Sequence, residues 1–142
     1  MNNGDVLFAW SASLGVYLWD GDKALLNQHI FNVQPKQDSI LEKSFIYFML
    51  KRLMQKFISI ASSRATTMGH ITKNHLKEEK IALPNDYILL KIQEKLETYY
   101  ELILANSLEI KRLIETRDYL LPKLLSGEID LSEEEKEVEQ VL

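Results

Sequence analysis

The sequence contains no cysteine, and only 5 of its 142 residues are glycine and 3 are proline. The absence of cysteine excludes a disulfide framework, a thiol nucleophile and any cysteine-ligated metal. No glycine-rich stretch has the spacing of a phosphate-binding loop, and no apolar run is long enough to span a membrane. The first residues lack the pattern of a secretory signal peptide. With 46% hydrophobic and 27% charged residues, the simplest expectation is a soluble, cytoplasmic chain of about one domain.

The net charge of −4 conceals an uneven distribution along the chain. Residues 1–84 hold 10 basic and 7 acidic side chains, a net +3, whereas residues 85–142 hold 7 and 14, a net −7. Within residues 43–80 there are 8 basic and 2 acidic side chains. Because a local cluster of positive charge attracts phosphates even in an acidic chain, the first part of the chain is a candidate for nucleic-acid contact.

Short apolar runs bounded by turn residues predict four strands in the first part of the chain. One apolar face at helical spacing predicts a packing helix over residues 39–61, in which Ser39 and Glu42 have the spacing of a capping box. Thr72 is placed to cap a short helical turn through Glu79. Together these elements predict the α+β class, as a small mixed sheet with a packing helix. The predicted strands cover residues 5–9, 15–20, 29–34 and 80–84, the last closed by a proline.

From Asp86 the apolar residues alternate spacings of four and three, which is the pattern of a coiled-coil seam. Glycine and proline are absent from 86 to 121, so this helix would extend about 50 Å at 1.5 Å per residue. A second helix is the predicted occupant of the seam, and the alternative is a single helix lying across its own domain. Polar seam residues typically fix register and partner choice. The predicted interface comprises Ile92, Leu96, Tyr99, Ile103, Asn106, Ile110, Leu113, Arg117, Leu120 and Leu124.

Two stop signals, Pro122 and Gly127, predict the end of the long helix, and an acidic tail follows them. The predicted organisation is therefore a first part over residues 1–84, a long coiled-coil-type helix over 85–127 and an acidic tail over 128–142.

The best candidate site is the polar loop 62–70 with the basic residues around it. Its short hydroxyl side chains can donate and accept hydrogen bonds, and the fork of Arg64 suits phosphate or a guanine edge. The neighbouring lysines can neutralise phosphates. For His70 a contact to DNA and a solvated loop position are equal alternatives, and the whole segment is alternatively a plain polar loop. The predicted DNA-contacting residues are Ser62, Ser63, Arg64, Thr66, Thr67, His70, Lys73, Lys51 and Lys56.

Nothing in the sequence predicts catalysis. No serine lies in a nucleophile elbow, and the acidic residues concentrate on the long helix and the tail, as expected of solvated faces. The three histidines lack the spacing of a metal site. An enzyme with an unrecognised site is the alternative.

Four segments occur in an order that is similar to the specificity subunit of type I restriction–modification systems. Residues 4–9, Gly-Asp-Val-Leu-Phe-Ala, followed by Gly15, resemble the family's GDILFA strand, and residues 26–31, Leu-Asn-Gln-His-Ile-Phe, resemble its NQH segment. Residues 67–72, Thr-Met-Gly-His-Ile-Thr, resemble the closing loop of a target-recognition domain. The most specific segment, residues 117–129, reads Arg-Asp-Tyr-Leu-Leu-Pro-Lys-Leu-Leu-Ser-Gly-Glu-Ile.

This resemblance implies that residues 1–84 form part of a target-recognition domain, which in this family reads one half of a split DNA sequence. It implies that the long helix packs antiparallel on a second such helix as a spacer and docks the methyltransferase subunits. The implied partners are double-stranded DNA, the methyltransferase subunit, the restriction subunit, and a second helix through a homodimer or other pairing. No cofactor is expected in this chain, because S-adenosylmethionine would bind the methyltransferase subunit.

The family normally has a substantial segment before the GDILFA strand. We therefore expect the chain to correspond to the C-terminal part of a specificity subunit, truncated inside the recognition domain. The alternative is an interaction module without DNA readout, which dimerises or pairs with other subunits through its long helix.

Overall fold

A computed structural model describes residues 1–11, 13–62 and 71–129 of the chain. The fold belongs to the α+β class, as the patterning predicts. The chain divides into two compact units, Met1–Leu104 and Ala105–Leu142. The boundary after residue 84, which divides the predicted recognition part from the predicted spacer helix, remains a prediction. The elements are β1 (Val6–Ala9), β2 (Gly15–Leu18), β3 (Ile30–Val33), α1 (Lys43–Ser62), α2 (Lys73–Glu78) and α3 (Asp86–Leu125).

The three strands form one antiparallel sheet in the order β2-β1-β3. The sheet is therefore antiparallel among the described strands, where a mixed sheet was predicted. All four residues of the central strand β1 are buried. Burial on both faces of β1 explains why its sequence is a continuous apolar run without alternation. In the register, Phe8 of β1 lies opposite Val16 of β2 and Phe31 of β3.

Helix α1 covers one face of the sheet and supplies much of the core. Phe57 is 1% exposed, and its ring meets the ring of Phe8 edge-on at 5.9 Å between centroids. Tyr47 and Met54 are buried in the same cluster with Val6. Full burial of side chains of this size contributes about 1.5–3 kcal/mol each, so these contacts are the main attachment of α1 to the sheet.

Two sequence predictions about element ends need correction. Ser39 does not cap α1, because its hydroxyl accepts from Leu41 N–H and the helix starts at Lys43. The carbonyl of Glu42 instead accepts the hydrogen bond from Ile46 N–H. Pro122 does not end α3, which continues to Leu125. A proline one turn from a helix end removes only one backbone hydrogen bond, which the helix tolerates there.

The predicted strand over residues 80–84 is wrong. This segment pairs with no described strand, and its apolar residues Ile81 and Leu83 are 41% and 45% exposed. The backbone turns extended at Glu79, with φ −73° and ψ 121°. A strand also needs a neighbour with which to exchange backbone hydrogen bonds, and Pro84 has no N–H to offer. The segment is the connection between α2 and α3.

The predicted short helical turn is confirmed as α2. Thr72 is its N-cap, with its hydroxyl accepting from His75 N–H, while the His75 ring accepts from Thr72 N–H. In the second unit, α3 ends before Gly127, whose φ of 72° is the left-handed conformation that glycine adopts without steric cost. The predicted stop at Gly127 is therefore confirmed. The acidic tail from residue 130 onward lies outside the described residues.

Candidate nucleic-acid interface

Part of the predicted DNA-contacting set lies where the structure gives no description. The structure therefore bears on four members of the set, Ser62, Lys51, Lys56 and Lys73. The members outside the described residues are Ser63, Arg64, Thr66, Thr67 and His70.

The two described ends of the predicted loop are held by hydrogen bonds in the first unit, and the Ile71 end is buried in its core. Ser62 is the last residue of α1, and its hydroxyl donates to the carbonyl of Ile58 at 2.8 Å. On the other side, Ile71 is 1% exposed, and its N–H donates to the carbonyl of Trp10 at 2.9 Å. The chain after the predicted loop thus rejoins the fold at Ile71, beside the end of the central strand.

Lys51 and Lys73 are exposed and lie over aromatic rings. The Nζ of Lys51 is 6.0 Å from the centroid of the Tyr17 ring and 5.7 Å from that of Tyr47. The Nζ of Lys73 is 5.4 Å from the centroid of the Phe31 ring. Neither lysine takes part in the ion pairs formed within residues 1–11, 13–62 and 71–129. Their charges are therefore available to an anionic partner, with the rings restricting the side chains.

Lys56 is engaged differently from the other two lysines. Its Nζ lies 2.6 Å from Oε2 of Glu79, and the two side chains form an ion pair and a hydrogen bond. A phosphate would have to compete with this carboxylate for the lysine. Its suitability for DNA contact is therefore lower than that of Lys51 or Lys73.

The ring of His29 belongs to an aromatic group at one edge of the sheet. It lies 5.4 Å from the Trp10 ring, and Trp10 in turn stacks on Phe31 at 5.8 Å and 20°. The Nε2 of His29 is 3.3 Å from Nε2 of Gln28. Within the described part of the chain, no group of three His, Asp or Glu side chains is placed to hold a metal ion.

Sequence reasoning missed a polar centre at Gly4 and Asp5, where the sheet meets both long helices. The carboxylate of Asp5, 6% exposed, accepts from Asn32 Nδ2 at 2.9 Å and from Gln34 Nε2 at 3.0 Å. Lys43 of α1 lies 3.6 Å from the same carboxylate and donates to the carbonyl of Gly4 at 3.4 Å. The sequence pattern did not reveal this polar centre, because its members are far apart in the chain and form no periodic run.

The balance of these contacts holds the Asp5 carboxyl ionised. Burial by itself raises its pKa, because the charged form loses solvation. Hydrogen bonds from Asn2 N–H, Asn32 and Gln34, together with the charge of Lys43, outweigh that effect and hold the pKa of Asp5 below its usual value.

Helix α3 packs on its own unit through a stripe that the sequence analysis did not separate from the seam. Its buried residues are Leu89, Gln93 and Tyr100. At 100° per residue, this stripe lies about a quarter turn from the centre of the predicted seam. The alternative of a helix lying across its own domain therefore describes residues 86–104, while the seam is a separate face.

The predicted seam is exposed along most of its length. Leu96 is half-buried, and the polar members Asn106 and Arg117 are exposed. Arg117 pairs with the adjacent Asp118 at 2.6 Å. The apolar members that the structure leaves exposed are Ile92, Tyr99, Ile103, Ile110, Leu113, Leu120 and Leu124. In each of the two units, exposed apolar side chains at this spacing are typical of a surface that associates with a partner. Among the described residues, no helix combines the length and apolarity needed to cross a membrane.

Comparison with known proteins gives a consistent result. The family model described as "Type I restriction modification DNA specificity domain" matches residues 1–116. Over 119 residues the chain is 33% identical to the type I restriction enzyme HindI specificity subunit of Haemophilus influenzae, covering 83% of this chain and 26% of that protein. It is 32% identical over 89 residues to the MjaIX specificity subunit of Methanocaldococcus jannaschii, covering 63% of this chain and 20% of that protein. No solved structure matches the chain.

The aligned part of the chain spans about a quarter of the length of the Haemophilus influenzae relative and a fifth of the length of the Methanocaldococcus jannaschii relative.

Proposed function

Because the chain belongs to the family of the type I restriction modification DNA specificity domain, we propose that it is a DNA sequence-recognition component of a type I restriction–modification complex. In this role it positions the methyltransferase and restriction subunits on DNA. The observation that carries the proposal is the family match over residues 1–116, which takes in the sheet, α1, α2 and most of α3.

The chain's own contribution is binding and positioning, without a chemical step. Methylation and cleavage belong to the partner subunits, and S-adenosylmethionine belongs to the methyltransferase subunit. The exposed Lys51 and Lys73 support contact with the phosphate backbone, because they extend from the unit that carries the sheet and are free of ion pairs with described carboxylates. Base readout is assigned to the 62–70 loop, which lies between these two lysines in sequence.

The proposal is tested with the chain assembled with its methyltransferase subunit. Duplexes recovered from a random pool by repeated binding to this complex should share a sequence motif. Recovery of duplexes without any common motif would contradict sequence recognition.

Phosphate contact is tested by Lys73→Ala, with Lys91→Ala as the matched control. Both lysines lie over an aromatic ring, since Lys91 Nζ is 4.5 Å from the centroid of Tyr87. We expect Lys73→Ala to weaken binding and to reduce the salt dependence of the binding constant by about one phosphate contact, and Lys91→Ala to leave both unchanged. Equal effects of the two substitutions, measured by fluorescence anisotropy over a salt series, would contradict the assignment of Lys73.

A second candidate function rests on the exposed seam of α3. A helix with seven exposed apolar residues at coiled-coil spacing is suited to pair with another helix, either in a second copy of this chain or in another subunit. With this function the chain is an interaction module that assembles the complex and does not itself recognise a DNA sequence. Sedimentation at several concentrations tests pairing with a second copy of this chain. Self-association supports that pairing, and a strictly monomeric folded chain contradicts the homodimer.

A further inference from the structure

Residues 86–104 of α3 attach to the rest of the first unit through a narrow contact. Three side chains on this segment are buried, and only Leu89 among them is aliphatic. Leu96 and Leu104 on the same segment are half-buried. Apolar burial is not directional, so these leucines do not by themselves fix the rotation of the helix about its axis or its position along it. The orientation must then come from the other two anchors, Gln93 and Tyr100.

Gln93 is bound to backbone at both ends of its amide. Its Oε1 accepts from Glu42 N–H at 2.7 Å, and its Nε2 donates to the carbonyl of Ile40 at 3.0 Å. The side chain is 3% exposed. Two hydrogen bonds in one plane fix both the position and the rotation of this turn of α3 against the start of α1, because hydrogen bonds weaken steeply away from their preferred angles.

Tyr100 supplies a second fixed point, about 10 Å further along the helix at 1.5 Å per residue. Its hydroxyl donates to the carbonyl of Gly4, and its ring meets the ring of Tyr47 edge-on at 5.6 Å. Gly4 has a φ of 74°, and a Cβ built at this position would lie 3.3 Å from Cδ2 of Leu104. The glycine therefore allows the strand end and the helix to approach closely, where Tyr100 can reach the carbonyl.

We propose that Gln93 and Tyr100 are positioning residues that hold residues 86–104 of α3 in one orientation on the sheet and α1. This inference rests on the proposed function, in which the helix sets the place of the recognition surface within the complex. If the two anchors are lost, the apolar core of the unit persists, but the helix can rock on Leu89. Sequence discrimination should then fall while non-specific affinity for DNA persists.

The orientation is measured directly by distances between spin labels. Because the chain has no cysteine, labels can be placed at two introduced cysteines, Gln55→Cys on α1 and Glu101→Cys on α3, both exposed. In the full chain we expect one narrow distance distribution. We expect Tyr100→Phe and Gln93→Ala each to broaden it, and the double variant to broaden it further.

The matched control is Tyr87→Phe, since Tyr87 lies on the same helix outside the seam and is 67% exposed. It should leave the distribution unchanged. Tyr100→Phe keeps the ring in the core, so it carries the test alone if Gln93→Ala does not fold by circular dichroism. A folded Tyr100→Phe variant with the wild-type distribution would overturn the inference.

A second measurement uses DNA. In the complex with the methyltransferase subunit, Tyr100→Phe should lower the ratio of affinities for a recovered motif and a scrambled duplex, with the affinity for the scrambled duplex unchanged. An unchanged ratio with a broadened distance distribution would overturn the link to DNA reading. If the wild-type complex recovers no motif, the proposed function fails, whereas the distance measurement still decides the positioning role.

Discussion

Replacing Gln93 by alanine should destabilise the first unit by about 2 kcal/mol. The substitution removes one acceptor and one donor, and it leaves Glu42 N–H and the carbonyl of Ile40 without their partners. Each group is partly buried, and leaving a buried polar group unsatisfied costs about 1–3 kcal/mol. The lower part of that range applies, because water can reach this surface in part.

Urea unfolding followed by circular dichroism measures this change. With a denaturant dependence of about 2 kcal/mol per M, a loss of about 2 kcal/mol lowers the midpoint by about 1 M. Glu94→Ala is the matched control, because Glu94 is the next residue on α3 and is exposed. A Gln93→Ala variant within about 0.5 kcal/mol of wild type, the range of an ordinary surface substitution, would refute the reasoning.

Gln93→Glu sharpens the test by keeping the acceptor and removing the donor. The new carboxylate would lie in a cleft lined by Glu42, Glu94 and Glu97. Burial and these like charges raise its pKa in the folded state above its unfolded value. The variant should therefore be least stable at neutral pH and recover stability as the pH falls toward the ordinary glutamate range. A Gln93→Glu variant that regains no stability on acidification would contradict the proposed environment of position 93.

Three further outcomes are expected. Burial, followed by the charges of Glu97 and Asp5, raises the pKa of Tyr100 to about 12. The stability that this group contributes below pH 10 should therefore fall by about 2 kcal/mol as the pH rises to 12. This loss should be absent in Tyr100→Phe, measured by urea unfolding across that range. Gly4→Ala should cost more than Gly127→Ala in the same assay, because both have positive φ, about 1–2 kcal/mol of strain, but only Gly4 is crowded by a neighbour. Replacing Ile103 and Ile110 together by aspartate should abolish any association seen in sedimentation, since each change places an unpaired charge in the seam; unchanged association would contradict the seam.

Helical and strand periodicity predicted much of the fold because both are local properties. The three strands and the three helices were expected at their observed places to within a few residues, with the exception of residues 80–84. That segment has the composition of a strand, but strand formation depends on a neighbouring backbone, which no local pattern specifies. The predicted DNA-contacting set remains a prediction, and the structure adds that Lys56 is paired with Glu79 while Lys51 and Lys73 are exposed.

By itself the sequence determined the α+β class, the length of α3 and the spacing of its exposed seam, because these follow from residue type and interval along one element. Only the tertiary structure decided which side of α3 faces its own unit. The two hydrogen-bond partners of Gln93 lie 51 and 53 positions earlier in the sequence, and the partner of Tyr100 lies 96 positions earlier. Contacts at such separations depend on how the elements pack, and a single polar residue on a helix does not indicate its partner.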